Sequence, residues 1–240
     1  MAIANSERQA LPADEFLKEL EDIRRRIWQG RDVERRQKGA SKEEIAAAKR
    51  KRLTGGAIQN HKFVAEKWLE CEDKELRRLN LLKMIDEFGQ QTVGVGLPSH
   101  PRLFRWEAAE FGIDDEEADR LEKEDMDPER LLWSTTRVAL HRESSWPVKI
   151  AMSLALEGLQ LNPDHNKQRR AQIDETKREY AKMGIKNVDR AVAFDEEHAG
   201  VDVDHAQICV RAIREHITTP ELQDEFRRAF ILTLQYLNNA

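Results

Sequence analysis

The segment FDEEHAGVDVDHAQICVRAI sets His198, Asp202 and His205 four and then three residues apart. At roughly 100° per residue, their side chains fall within about 60° of one another on a helix. One helix face then presents two imidazoles and a carboxylate. Imidazole nitrogens suit a borderline divalent metal, and carboxylate oxygens neutralise charge and can chelate or bridge. By themselves the three residues fit a solvated polar face equally well, because Asp195, Glu196, Glu197 and Asp204 make the neighbourhood acidic in any case. Gly200, inside the same helix, costs on the order of 1 kcal/mol relative to Ala, and its small size would admit a neighbouring helix or a substrate.

Partners for that face are sought where a polar group sits among apolar ones. Glu157 stands in AMSLALEGLQL, a stretch apolar almost all round. Burying a carboxylate there is costly unless it is paired or coordinates a cation. A salt bridge at a helix end is the alternative. Glu87 closes LLKMIDEFG, and His100 opens the helix after the glycine-rich GQQTVGVGLPSHP. Each also reads as an ordinary helix-end residue.

Helices must position these groups. Phe16, Leu17, Leu20, Ile23 and Ile27 recur at helical spacing up to Trp28, with Asp14 as a cap. Ser41 followed by Glu44 reads as a capping box for a helix ended by Gly55 and Gly56. Further helices are expected over 58–71, 73–88, from Ser99 or His100 to Gly112 with Pro101 in its first turn, and over 128–140, 147–161, 166–183, 188–217 and 220–237. No repeat of fixed period appears.

The whole chain agrees with that reading. Its 240 residues, 40% hydrophobic and 35% charged, can bury one substantial core under heavily solvated helix faces. An all-α protein is expected, with residues 1–240 as one domain and 1–12 as a flexible tail. Only Cys71 and Cys209 are present, so neither a disulfide framework nor a cysteine-based zinc site is available. No apolar run approaches about 18 residues, so the expectation is a cytoplasmic chain with no membrane partner. A net charge of −5 argues against a nucleic-acid partner. The charge is uneven: 12 basic and 4 acidic residues lie between Arg24 and Arg52, against 12 acidic and 2 basic between Glu107 and Glu129. The basic stretch is expected to be a solvated face that the acidic stretch screens.

Taken together, these residues resemble the haem-oxygenase-like diiron oxidase and oxygenase superfamily, whose fold is shared with thiaminase II and the pyrroloquinoline-quinone synthase. That family's last metal helix carries H-x-x-x-D-x-x-H, matched by His198, Asp202 and His205. Its middle glutamate, in an apolar helix before Gly, is matched by Glu157 of LALEGL. Its earlier glutamate and histidine are matched by Glu87 and by His100 of HPRLFRWEAAEFGI. A long connection separates Glu87 from His100, where several members hold the two closer. The likeness runs from about Asn60 to the end of the chain.

The resemblance implies a haem-oxygenase-like bundle of about seven core helices. It also implies two ferrous ions held by Glu87, His100, Glu157, His198, Asp202 and His205, with manganese or mixed occupancy compatible with the same ligands. Three carboxylates and three imidazoles leave open positions on two octahedral ions, which suits dioxygen activation through a peroxo-diiron intermediate. The implied substrate is a small organic molecule, amino-acid-like or fatty-acid-like, used with O2. An external electron donor and a homodimer both fit the family.

His61, Trp68, Trp106, Trp133 and Trp146 are candidates for pocket walls, although aromatics at such spacing more often fill a core. Arg137, His141 and Arg142 are candidates for holding a substrate carboxylate, surface placement being the alternative. Cys209 continues the His205 stripe and is expected to be a small buried hydrophobe. Two other functions stay open. One is a cofactor-independent, thiaminase-like enzyme using Cys209 as nucleophile, and the other a helical interaction protein with incidental histidines.

Overall fold

The computed structural model describes residues 9–28, 39–55, 67, 69–88, 98–157 and 165–239. Among them every regular element is a helix and no strand occurs, giving an all-α bundle. In chain order the helices are α1 (Ala13–Trp28), α2 (Lys42–Leu53), α3 (Lys74–Phe88), α4 (His100–Glu110), α5 (Asp115–Leu121), α6 (Pro128–Glu143), α7 (Trp146–Met152), α8 (Leu154–Glu157), α9 (His165–Lys182), α10 (Val188–Ala191), α11 (Ala193–His216) and α12 (Pro220–Asn239). None is long and apolar enough to cross a membrane. The helix expected over 58–71 falls almost wholly outside the described residues.

Local chemistry fixes most helix ends. Ser41 and Glu44 form the expected capping box, the Ser41 Oγ accepting from the Glu44 N–H and the Glu44 carboxylate from the Ser41 N–H. Pro101 lies in the first turn of α4. That helix closes on Gly112, at φ 85°, with Ile113 N–H bonded to Ala108 O and Gly112 N–H to Ala109 O. This pair of bonds is a Schellman motif, and its left-handed position favours glycine.

Other ends depart from the sequence expectation. α1 begins at Ala13, so Asp14 lies inside its first turn, where its carboxylate pairs with Arg214 at 2.9 Å rather than capping. Residues 115–121 form a helix that their acidic composition hid, capped by Asp114 through the Glu117 N–H. The helix expected over 147–161 is interrupted at Ser153, and the one over 188–217 at Val192, whose φ −124° and ψ 15° leave the helical region. Leu11, in the stretch read as a tail, is tied through both main-chain groups to the Gln223 side chain.

α11 is the axis of the bundle, packing against α1, α3, α4, α7, α8 and α9. Its C-terminal half, from Ala206 to Ile213, joins the largest core with Phe16, Leu20, Ile150, Leu154, Phe226 and Phe230. Phe226 meets Phe16 edge-on at 6.0 Å and stacks on Phe230 at 5.6 Å. The N-terminal half packs elsewhere, Ala199 with Phe111, Tyr180 and Val192, and Phe194 with Phe104 and Ala108. The stretch from His198 to His205 therefore lies where one apolar cluster gives way to the next.

Among the described residues, two basic groups of α2 pair with the acidic stretch. Lys49 pairs with Glu107 at 2.9 Å and Arg50 with Glu117 at 2.7 Å. Thr54 caps the C-terminus of α2 through its N–H to Arg50 O, and the Arg130 guanidinium donates to the carbonyls of Lys51, Arg52 and Thr54.

Candidate metal centre

His100 is the first residue of α4 and is buried, 2% exposed. Its ring lies 4.3 Å from that of His198, centroid to centroid, tilted by 40°. Phe194, one turn before His198, touches both rings, at 4.0 Å from His198 and 5.7 Å from His100. Phe104 closes the layer 5.9 Å from Phe194. The Arg52 guanidinium covers the Phe104 and Phe194 rings at 4.4 and 4.9 Å. Two imidazoles from different helices thus meet behind an aromatic layer.

The His198 ring has a defined orientation. Its Nδ1 lies 2.8 Å from the Phe194 carbonyl oxygen, which can only accept, so Nδ1 carries a proton. A metal-ligating imidazole requires that arrangement, with one nitrogen donating to a fixed acceptor and the other turned to the metal. His205 follows two turns later on the same helix and is also 2% exposed. His100 and His205 are buried and His198 is half-buried, and imidazole is a nitrogen donor of the kind that divalent iron takes, so the residue types present fit the metal.

The other expected ligands lie on α11 or on helices that pack against it. Glu87 is on α3, Glu157 ends α8 and Asp202 is on α11; α3 and α8 both pack against α11, and α3 also against α4. The side chains of Glu87, Glu157 and Asp202 lie outside the described residues, as do those of Trp133 and Arg137 and the whole of His61 and Trp68.

The other candidates have described surroundings. Trp106, half-buried on α4, has the Arg190 guanidinium 5.6 Å above its ring on the side facing α10. His141 is buried on α6, whose main partner is α12. Trp146 meets His216 edge-on at 4.7 Å. Cys209 is 2% exposed, with its Sγ 3.4 Å from the Ile150 carbonyl, as expected of a buried hydrophobe.

Sequence reasoning missed Glu107. Its side chain is 3% exposed, and its Oε2 accepts from Lys49 Nζ. Its Oε1 accepts from the main-chain N–H groups of Phe194, at 3.0 Å, and Asp195, at 3.4 Å. Val192, at the N-cap of α11, offers no capping side chain, and Glu107 does so from another helix. Burial pushes the Glu107 carboxyl above its ordinary range, with Lys49 opposing and Asp195 adding to the rise. Burial also pushes the nearby Tyr180 phenol up, helped by Asp195 and Glu107.

Among the described residues, one group brings three possible ligand atoms together, and it is not the histidine pair: Asp73, Glu215 and His216 offer atoms within 4.8 Å of one another. It lies at the opposite end of α11 from His198, and part of its donor set is engaged in hydrogen bonds. Asp73 Oδ1 accepts from the Leu76 N–H and its Oδ2 from His216 Nε2, while Glu215 accepts from Arg211. The arrangement is a helix cap extended by an ion pair.

Comparison with curated proteins finds no match. A family model described as an iron-containing redox enzyme matches residues 64–238, which include every helix from α3 to α11 and nearly all of α12. The match spans well over half of an all-helical chain: the protein belongs to the iron-containing redox enzyme family, with a haem-oxygenase-like fold.

Proposed function

We propose that this chain is a non-haem diiron enzyme, a dioxygen-activating oxidase or oxygenase acting on a small organic substrate, amino-acid-like or fatty-acid-like. The observation that carries the reading is the meeting of the His100 and His198 rings, 4.3 Å apart, where α4 packs on α11. The packing of α3 and α8 against the same helix supports it, because those helices bear Glu87 and Glu157. Glu87, His100, Glu157, His198, Asp202 and His205 would hold two irons. Manganese or a mixed pair suits the same donors.

Bound iron would supply the electrons and the open positions that dioxygen reduction needs. The chain's own residues do the rest. The Phe194 carbonyl accepts from His198 Nδ1 and so orients the ring. Phe104 and Phe194 wall the histidine pair with apolar surface, which excludes water and strengthens the electrostatics inside. The substrate and O2 are the partners this reading requires, and an external electron donor is compatible with it.

Anaerobic titration with ferrous iron, read by Mössbauer spectroscopy, tests it directly. Two equivalents should bind to the wild-type chain, and the double variant His198→Ala, His205→Ala should lose them while remaining folded. A folded wild-type protein that takes up no iron would sink the proposal. Retention of both irons by the double variant would move the ligands elsewhere.

A further inference from the structure

The peptide unit between Phe194 and Asp195 is held from both sides. Its N–H, that of Asp195, points to Glu107 Oε1 at 3.4 Å, and its carbonyl, that of Phe194, accepts from His198 Nδ1 at 2.8 Å. The preceding N–H, that of Phe194, donates to the same Glu107 oxygen at 3.0 Å. The second Glu107 oxygen is fixed by Lys49 at 2.9 Å, and Lys49 Nζ itself lies 5.2 Å from the Phe104 and Phe111 ring centres. A continuous polar path therefore runs from Lys49 through Glu107 and one peptide unit to the His198 ring.

We infer that Glu107 is a positioning residue for the metal centre, acting on His198 through the Phe194–Asp195 peptide. The inference rests on the proposed role of His198 as a ligand. Two physical effects follow from the geometry. Anchoring both N–H groups fixes the first turn of α11, and with it the direction in which the Phe194 carbonyl faces the imidazole. A carboxylate accepting from a peptide N–H also polarises that peptide, making its carbonyl a stronger acceptor. The stronger the acceptor at Nδ1–H, the more basic the imidazole and the better its Nε2 binds a metal. In this respect Glu107 does for His198 what a directly bonded carboxylate does in many metal sites, with a peptide unit interposed.

A simple helix cap would stabilise α11 and leave metal affinity alone, so the test separates the two. Zn(II), which is redox-silent, is titrated into wild type, Glu107→Gln, Glu107→Ala, His198→Ala and Asp127→Ala. The last is a control that removes an ordinary cap, that of α6, where Asp127 Oδ1 accepts from the Arg130 N–H. Glu107→Gln keeps an oxygen to accept the two N–H groups but loses the charge, and it guards against misfolding of Glu107→Ala. Outer-shell partners of this kind are worth about 10- to 100-fold in metal affinity. Glu107→Ala should weaken Zn(II) binding within that range, Glu107→Gln should weaken it less, and Asp127→Ala should leave it unchanged. Imidazole 15N NMR of the metal-free protein should show the His198 proton confined to Nδ1 in wild type and shared between the two nitrogens in Glu107→Ala. Wild-type affinity and tautomer in both Glu107 variants, with affinity lost in His198→Ala, would overturn this inference and leave the metal site standing. Absence of Zn(II) and iron binding by the wild-type chain would remove both.

Discussion

Lys49 and Glu107 form an ion pair almost shut off from solvent, with Nζ and Oε2 2.9 Å apart and side-chain exposures of 12% and 3%. Such a pair gives little net stability, but breaking it strands a buried charge, at a cost of about 3–5 kcal/mol. Lys49→Met should therefore destabilise strongly near neutral pH. Glu107 already titrates above its ordinary 4.5, through burial first, and loss of Lys49 raises it further. A carboxyl raised by folding favours the folded state below its unfolded pKa and loses that advantage as pH rises through its folded value. Chemical denaturation of Lys49→Met against wild type should accordingly show a larger deficit at pH 8 than at pH 5. An equal deficit at both would refute the assignment of the buried charge.

The Asp73 carboxyl titrates below its ordinary 3.8, held down first by the Leu76 N–H and further by the Glu75 N–H and by His216. Its contribution is present above the unfolded pKa and lost as pH falls through the lower folded value. Asp73→Ala should cost about 1 kcal/mol at pH 7, the usual worth of a helix cap, and the difference from wild type should vanish below the carboxylate range.

Two left-handed glycines make a paired experiment. Gly112 at φ 85° has nothing within 4 Å of where a Cβ would stand, so Gly112→Ala should cost only the backbone strain, about 1–2 kcal/mol. Gly55 at φ 74° carries the same strain, and a Cβ there would overlap Met126 Cγ and lie 3.0 Å from its Cε. Gly55→Ala should lower the melting temperature further than Gly112→Ala. Adding Met126→Ala to Gly55→Ala should recover part of that extra loss.

The contrast between what was legible and what was not follows the range of each interaction. Ser41 and Glu44 cap each other within one turn, and Pro101 and Gly112 act on their own backbone, so their consequences could be read from neighbouring letters. His198, Asp202 and His205 share a face because a helix has a fixed period, and the match of Glu87, His100 and Glu157 to a family pattern linked other helices to it. The helix at 115–121 escaped because only Ala118 and Leu121 are buried in it, too few to mark a periodic stripe among acidic residues. The interruption at Val192 has neither Gly nor Pro to announce it. Glu107 was one of twelve acids in a charged run, and the main-chain groups it caps lie 87 residues away. No local pattern encodes that distance.

Cysteine chemistry distinguishes the metal-dependent reading from a thiaminase-like one. A nucleophilic cysteine must reach substrate as a thiolate, in an electropositive and partly open setting. Cys209 instead sits 2% exposed among Ile150, Ala151 and Ala212, with its thiol directed at the Ile150 carbonyl. Cys71 is fully buried, and burial pushes its thiol up, away from the reactive form. Neither should react with an aromatic disulfide reagent in the native protein, and both should react once it is unfolded. Cys209→Ala replaces one small buried group by another and should retain iron binding, the His198 tautomer and the fold. Rapid native-state modification of Cys209, with loss of turnover in Cys209→Ala but unchanged iron content, would instead make the thiol the reactive group and leave the histidines a supporting role.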